Sequence, residues 1–319
     1  MVRTFSVITR ATSMAYHLIF PVLLFFALSC AGPSRLQGVT TQEGIEISEG
    51  DSKVLFYQIK PKSLNGKFER ASYIHPLYSL SGNVITEDFP GDHPHHHGIY
   101  SAWHQILLNG RPIADGWTGE NLSLQVTNTK VTKESKSLTI TSEVLWQHVA
   151  GGDRQPIVKE NLQIVVHSSS DDYRVIDYDI ELVPLMDRLQ IGGSDDEKGY
   201  GGFSLRLKLP DDIRFAAKDK EVEPQVISVA AGPWLDLKGS FDKGQTQSGV
   251  AVFCHPSNPG APQPWILRKE KSMQNVAYPG RIPVDLTKDG LKLRYRMVIH
   301  RSELPEKLLE ELYQRYAGK

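Results

Sequence analysis

The sequence is poor in cysteine, in net charge and in long apolar runs. It has two cysteines, Cys30 and Cys254, so at most one disulfide is possible and a disulfide framework is excluded. Its 36 basic and 37 acidic residues nearly cancel, which gives no electrostatic reason to expect a nucleic-acid partner. The main apolar run, Leu18 to Leu28, is far shorter than the roughly 20 residues that a membrane-spanning helix needs.

The N-terminus has the layout of a secretory signal, and residues 1–29 are predicted to be a signal peptide. Arg3 and Arg10 come first without an acidic residue, and Ala27-Leu28-Ser29-Cys30 follows the apolar run. A cysteine after small residues resembles the lipobox of bacterial lipoproteins, so lipidation is predicted at Cys30. Ordinary cleavage beside an incidental cysteine is the alternative. The residue after Cys30 is Ala31 and not Asp, and by the bacterial sorting preference this favours delivery of the lipoprotein to the outer membrane.

Residues 30–42 contain small and polar types without apolar periodicity, and they are predicted to form a lipid-anchored tether. Residues 43–319 are enough for one domain with a large core. Lipidation of Cys30 would leave Cys254 without a partner. The stability of the domain would then come from its core alone.

Alternation of apolar and polar residues with period two is the strongest structural signal, and it predicts half-buried antiparallel strands. In Ile176 to Leu182 every second residue is apolar and every intervening one is acidic. The same pattern appears in five other segments: Leu122 to Val126, Leu138 to Trp146, Leu162 to Val166, Phe203 to Leu209 and Leu291 to Ile299.

One helix is predicted, at residues 303–317, with Ser302 as its cap and Pro305 in its first turn. Its leucines form one stripe, which should pack on a sheet. Many strands and one terminal helix in a domain of this length predict an all-β fold, a large antiparallel two-sheet sandwich.

The most unusual segment runs from Glu87 to Gly98, and five of the eleven histidines fall between His93 and His104. In an extended chain His93, His95 and His97 project to one side and His96 to the other. Histidine side chains titrate near neutral pH, so they can act as general acid and general base. The catalytic candidates in this segment are Asp92, His93, His95 and His96.

The same histidines could instead hold a divalent metal through neutral imidazole nitrogens, with His93, His95 and His104 as candidate ligands. His75, His255 and the acids Glu87, Asp88 and Asp92 are further candidates for a third ligand. A structural interpretation without function also remains open. Pro94 and Gly98 are typical of a loop, and histidines on a solvent-exposed loop need no functional role.

A second segment, Cys254-His255-Pro256-Ser257-Asn258-Pro259, follows an apolar strand. His255 is predicted to be catalytic and Asn258 to bind substrate, whereas Cys254 is predicted to lie in the core. The alternative is a proline-rich turn in which Asn258 bonds to the backbone.

A third segment, residues 198–203, places glycines around Tyr200 without the order of a phosphate-binding loop. Its glycines are expected to allow close backbone approach, with Lys198 and Tyr200 at the rim of a site. The alternative is a flexible turn after Asp195-Asp196-Glu197. Trp103 and Trp265 are predicted to bind substrate, since aromatic faces at a polar cleft suit sugar rings.

Four segments, taken in order, resemble a bacterial family of unknown function that is often labelled "methane oxygenase PmoA": TEDFPGDHPHHHGIYSAW, KGYGGFSLRL, GPWLDLKG and GVAVFCHPSNPGAPQPW. The resemblance runs from residue 45 to residue 301. It implies a super-sandwich like that of the galactose mutarotases, with a sugar met by histidine and carboxylate. Relatives carry Arg where this sequence has His97, which leaves His93, His95 and His96 as the implied functional set.

The label is not expected to describe the chemistry of this protein. The particulate methane oxygenase subunit has several membrane-spanning helices, whereas the main apolar run of this sequence is too short to form one. Three functions remain open from the sequence. The first is an exported lipoprotein enzyme that processes a glycan or related small molecule by histidine and carboxylate acid–base chemistry. The second is a metal-dependent hydrolase or oxygenase, and the third is a glycan-binding lipoprotein without catalysis.

Overall fold

The structure is a computed structural model that describes residues 1–2, 36–242 and 247–318. The described chain forms 23 strands and one α-helix, α1 (Glu306–Tyr316). The strands, in chain order, are β1 (Leu36–Thr40), β2 (Gly44–Glu49), β3 (Ser52–Gln58), β4 (Lys62–Leu64), β5 (Lys67–Arg70), β6 (Tyr73–Leu77), β7 (Ile99–Trp103), β8 (Gln105–Leu108), β9 (Arg111–Ala114), β10 (Leu122–Lys133), β11 (Ser137–Ala150), β12 (Asp153–His167), β13 (Tyr173–Pro184), β14 (Leu189–Gly192), β15 (Gly201–Leu205), β16 (Arg214–Ala217), β17 (Lys220–Glu221), β18 (Trp234–Gly239), β19 (Ser248–Cys254), β20 (Trp265–Ile266), β21 (Gln274–Ala277), β22 (Val284–Asp285) and β23 (Leu291–His300).

Two large antiparallel sheets dominate the fold. One has eight strands in the order β1-β2-β3-β6-β7-β15-β21-β20, and the other has nine in the order β10-β11-β12-β13-β23-β19-β18-β16-β17. A four-stranded sheet, β22-β14-β8-β9, and the β4–β5 hairpin complete the architecture. The prediction of an all-β antiparallel sandwich is confirmed.

Aromatic contacts join the two large sheets across the core. The rings of Phe203 on β15 and Tyr295 on β23 stack with their centroids 4.6 Å apart. Trp103 on β7 and Trp146 on β11 make a second such contact at 5.8 Å. Each pair takes one residue from each sheet, so the core lies between the inner faces of the two sheets.

The period-two alternation predicts burial well where one face of a strand is wet. In β13 and β11 buried and partly exposed residues alternate along most of the strand. The prediction fails at β15, which is buried on both faces and ends at Leu205. Ser204 and Arg206, predicted to lie on a wet face, are only 0% and 2% exposed.

Helix α1 packs on the outer face of the nine-stranded sheet, as the leucine stripe predicted. It begins later than predicted, because Pro305 occupies the N-cap position without any side-chain cap. The prediction that Ser302 caps the helix is wrong, since its carbonyl accepts a hydrogen bond of 2.8 Å from Nδ1 of His300. Nine buried residues form this contact: Trp234, Ala251, Phe253, Val298, Leu304, Leu309, Leu312, Tyr313 and Tyr316.

The folded domain begins before residue 43. Strand β1 lies inside the segment predicted to be a tether, and it pairs along its whole length with β2. The predicted tether boundary is therefore too late, because the folded domain includes the chain from Leu36 onward. The predicted signal peptide, apart from Met1 and Val2, and the predicted lipidation site Cys30 lie outside the described residues. Within the described ranges, no helix is long and apolar enough to cross a membrane.

Candidate functional site

The histidine-rich segment belongs to the connection between β6 and β7, residues 78–98, which we call the histidine loop. Asp88 and His97 form an isolated bridge at the base of the segment. Gly98 closes the loop against β6, where an added Cβ would lie 1.9 Å from the carbonyl oxygen of Ile74. No residue with a side chain fits there, so the glycine fixes how the histidines reach β7.

The histidines are not extended, because the loop turns twice. The amide of His93 donates to the carbonyl of Pro90, and the amide of His96 donates to the carbonyl of His93. Consequently the rings of His93 and His96 stack at 4.6 Å, and His95 lies 5.7 Å and 4.7 Å from them. The predicted extended arrangement, with His96 on the opposite side, is wrong.

His97 is separate from this cluster and lies in the protein interior. Its Nδ1 donates a hydrogen bond of 2.8 Å to Asp88, whose other oxygen accepts from Tyr73 and Lys62. Burial, only partly offset by Asp88, lowers the pKa of His97 to about 4. The His97 to Asp88 bond ties the base of the loop to the sheet.

Arg206, just after β15, holds the histidine loop from behind. Its guanidinium donates to Glu87 at 2.8 Å, to Asp92 at 2.7 Å and to Nδ1 of His96 at 3.3 Å. Because arginine only donates, Nδ1 of His96 must accept and the ring proton must sit on Nε2. The buried arginine thus sets the tautomer of His96.

Two other histidines are each backed by a carboxylate. Nδ1 of His93 lies 2.8 Å from Asp92, and Nδ1 of His104 lies 2.9 Å from Asp115. Both bonds place the proton of a neutral ring on Nδ1 and leave Nε2 as a base. His104 also stacks on Trp117 at 5.2 Å, so its orientation is fixed by a bond and by packing.

These groups line one cavity of about 810 Å³. The loop supplies His93, His95 and His96, β7 leads to His104, and the segment before β15 supplies Lys198 and Tyr200. Residues 224–226 and 267–272 supply the rest of the lining, and we call residues 267–272 the rim loop. The structure thus brings six of the predicted site residues together.

Burial and neighbouring charges keep the inner histidines neutral. Burial, with His95, His93 and Arg206 adding to it, lowers the pKa of His96 to about 2. Burial also lowers the pKa of His95, and His93 and His104 add to that effect. For Asp92, burial acts upward, but hydrogen bonds from His93 and Arg206 outweigh it and lower the pKa to about 2. The inner histidines are therefore neutral imidazoles that line the cavity, and the ionised carboxylate of Asp92 lies behind the lining.

The proposed metal ligands do not form a recognisable centre. Over the described ranges, no group of three or more His, Cys, Asp or Glu side chains is arranged to hold a metal ion, and this includes His93, His95 and His104.

His255 and Asn258 lie elsewhere and do not line this cavity. The ring of His255 packs against Tyr316 of α1 at 5.0 Å. The side chain of Asn258 makes two hydrogen bonds to the backbone of Arg294 on β23, so it joins its turn to a distant strand and does not make the local Asx bond of the turn alternative. Cys254 is buried, as predicted.

The two tryptophans chosen for substrate binding are core residues. Trp103 is 0% and Trp265 1% exposed, and the indole of Trp103 donates to the carbonyl of Tyr278. Their assignment to substrate binding is wrong, because both lie within the main core cluster. The tryptophan that reaches the cavity is Trp117.

Sequence reasoning missed three further contributors: Asp115, Arg206 and Arg268. Asp115 lies in an Asp-Gly-Trp turn soon after His104, and this closeness in sequence could have identified it as a partner of His104. Arg206 occupied a position in an alternating segment where basic residues are ordinary. Arg268 lies far along the chain from the histidines, and no motif marks it.

No curated protein matches the chain. A family model does match, over residues 44–314, which includes the histidine loop, the rim loop and most of helix α1. The chain therefore belongs to a family of unknown function, DUF6807.

Proposed function

We propose that this protein is an exported lipoprotein enzyme that acts on a carbohydrate or related polyhydroxylated substrate by histidine and carboxylate acid–base chemistry. The observation that carries the proposal is the His104–Asp115 pair, held by Trp117 in the same cavity as the His93–Asp92 pair. Two imidazoles backed by carboxylates are the groups that a proton-transfer reaction needs.

Each histidine then has a role that follows from its hydrogen bonds. His93 and His104 present Nε2 as a base, and either becomes an acid once it is protonated, with its carboxylate stabilising the imidazolium. His96 presents Nε2–H, so it donates a hydrogen bond to a substrate oxygen while remaining uncharged. One face of the cavity thus offers both acceptors and donors to hydroxyl groups.

An aromatic wall suits the apolar face of a sugar ring. Tyr200 packs against Trp117 with centroids 5.7 Å apart, and His104 covers another face of the indole. The exposed aromatic surface belongs to Tyr200 and His104, and Trp117 supports both from behind. Sugar rings bind to such surfaces through their C–H faces.

The resemblance to the family labelled PmoA, and the likeness to the galactose mutarotases, are part of this proposal. The oxygenase activity in that label is not. A non-catalytic glycan binder and a metal-dependent hydrolase or oxygenase are the two competing functions, and the experiment separates them.

The test is turnover of a glycan panel by the wild type, His93→Ala and His104→Ala, with His148→Ala as a control outside the cavity. We expect turnover by the wild type and control, and a loss of about 100-fold or more in the two cavity variants. Binding without turnover by any protein would establish a binder. Stoichiometric metal in the wild type, lost in His95→Ala, would establish the metal-dependent alternative.

A further inference from the structure

Basic side chains outnumber acidic ones among the residues that line the cavity. The lining cations are Lys198, Arg268, Lys269 and Lys271, and Glu270 is the single acidic residue among the lining positions. Ring contacts join His104 to Trp117, Trp117 to Tyr200, and Tyr200 to Arg268. The aromatic wall therefore lies between His104 and Arg268 of the rim loop.

Two of the four lining cations have a carboxylate nearby, and two have none among the described residues, where Glu270 likewise has no cation nearby. Lys269 is bonded to Glu223 at 2.9 Å. Lys198 lies 3.8 Å from Asp196, beyond hydrogen-bond distance. Lys271 has no carboxylate within 4.0 Å in the part of the chain that the structure describes.

Arg268 adds charge and also shapes the rim. Its guanidinium donates to the carbonyls of Gln225 and Val226 and lies 5.6 Å over the ring of Tyr200. No carboxylate in the described residues neutralises it. The positive end of the cavity thus adjoins the aromatic surface on which a ring would rest.

At the histidine end an acidic group of a ligand would meet imidazoles backed by the ionised Asp92 and Asp115, and the cation there, Arg206, is buried and already bonded to Asp92 and Glu87. The pKa values of Asp92 and Asp115 are lowered because hydrogen bonds from His93 and His104 outweigh the effect of burial. At the rim the same acidic group would meet Arg268 and Lys271, which have no carboxylate partner in the described residues, and Lys198, whose Nζ lies 3.8 Å from Asp196. A ligand with an acidic group at one end and hydroxyl groups at the other therefore fits in one orientation.

We propose that the cavity selects an anionic carbohydrate, a sugar acid or a sugar sulfate, whose acidic group binds Lys198 and Lys271 while its hydroxyl groups face the histidine loop. This proposal rests on the proposed function. It adds the substrate class and names two specificity residues outside the proton-transfer machinery.

The test is calorimetric titration with uronate oligosaccharides and their neutral methyl esters, and with sulfated galactan oligosaccharides and their desulfated forms. The proteins are the wild type, Lys198→Gln/Lys271→Gln, and Lys288→Gln as a control, since Lys288 is 90% exposed and outside the cavity. We expect an acidic ligand to bind the wild type and control about tenfold more tightly than its neutral form. The double variant should reduce that ratio to about twofold, as should about 1 M salt.

The uronate and sulfate arms show which acidic group is recognised. Equal affinity for acidic and neutral forms, with no change in the double variant, would overturn the anion proposal and leave the proposed function standing. A preference for acidic ligands that survives in the double variant would overturn the role of the two lysines. Failure of all these oligosaccharides to bind the wild type would overturn this proposal, whereas the proposed function is decided by turnover of the glycan panel.

Discussion

The guanidinium of Arg206 donates a hydrogen bond of 3.3 Å to Nδ1 of His96. Because arginine cannot accept, this contact fixes the ring proton of His96 on Nε2, which makes His96 a donor within the cavity. The same guanidinium holds Asp92 at 2.7 Å, and Asp92 in turn orients His93 at 2.8 Å. One buried side chain thereby sets the hydrogen-bonding roles of two histidines.

Arg206→Lys should release the tautomer of His96, because an ammonium group cannot reach the three partners of a guanidinium. Long-range ¹H–¹⁵N correlation spectra should show Nε2-protonated His96 in the wild type and a mixture of tautomers in the variant. Arg111→Lys, at an exposed position, is the control. An unchanged His96 spectrum in Arg206→Lys would contradict the role given to Arg206.

His300 and Asp236 form a buried pair, 0% and 2% exposed, joined at 2.9 Å. Burial lowers the pKa of His300, but the charge and hydrogen bond of Asp236 outweigh it, so that pKa is raised. The pair's contribution to stability is full below the pKa of His in the unfolded chain, about 6.5. It is lost as pH rises through the folded pKa.

We therefore expect the wild type's free energy of unfolding to fall as pH rises above about 6.5. His300→Gln should lose about 3 kcal/mol at pH 6, because it leaves Asp236 buried without a charge partner. Urea denaturation at several pH values measures both effects, with His148→Gln as the reference. Identical pH slopes for His300→Gln and the wild type would count against this pair.

Glu160 lies between the sheets, bonded to Trp146 at 2.8 Å and to Ser72 at 3.0 Å. Burial raises its pKa, so ionisation costs stability as pH rises above about 4.5, the pKa in the unfolded chain. Glu160→Gln keeps the shape without the charge: its amide oxygen accepts from the indole of Trp146, and its NH2 group donates to the hydroxyl of Ser72. Its free energy of unfolding at pH 7 should equal or exceed that of the wild type, whereas Glu160→Ala should lose about 3 kcal/mol. A large loss in Glu160→Gln would show that the ionised carboxylate is stabilising.

Lipidation should depend on Cys30 alone. Cells fed a labelled fatty acid should label the wild type and Cys254→Ser but not Cys30→Ser, because Cys254 is buried in the folded domain. The protein without lipid should leave the membrane fraction. Labelling of Cys30→Ser would contradict the predicted anchor.

The sequence predicted the sheets better than the site, for a physical reason. Strands such as β13 have one solvent-exposed face and one buried face, and the alternation of polar and apolar residues along the strand reports that environment. At β15 the alternation predicted the wrong exposure for Arg206. This residue is buried by partners from the histidine loop, which is distant along the chain. The histidines were found as a cluster, but their facing depends on two turns that an extended geometry ignores. Neither Trp117 nor the rim loop carried a spacing that linked it to the histidines.

The central claim is that the carboxylate-backed histidines move protons, and Asp115→Asn tests it most directly. The substitution keeps the ring of His104 in place and removes the charge that sets its tautomer. Initial rates on the glycan panel should fall by about 100-fold or more relative to the wild type, with an unchanged circular dichroism spectrum. A rate within about twofold of the wild type would contradict the claim, because loss of a proton-transfer group should reduce the rate far more than that.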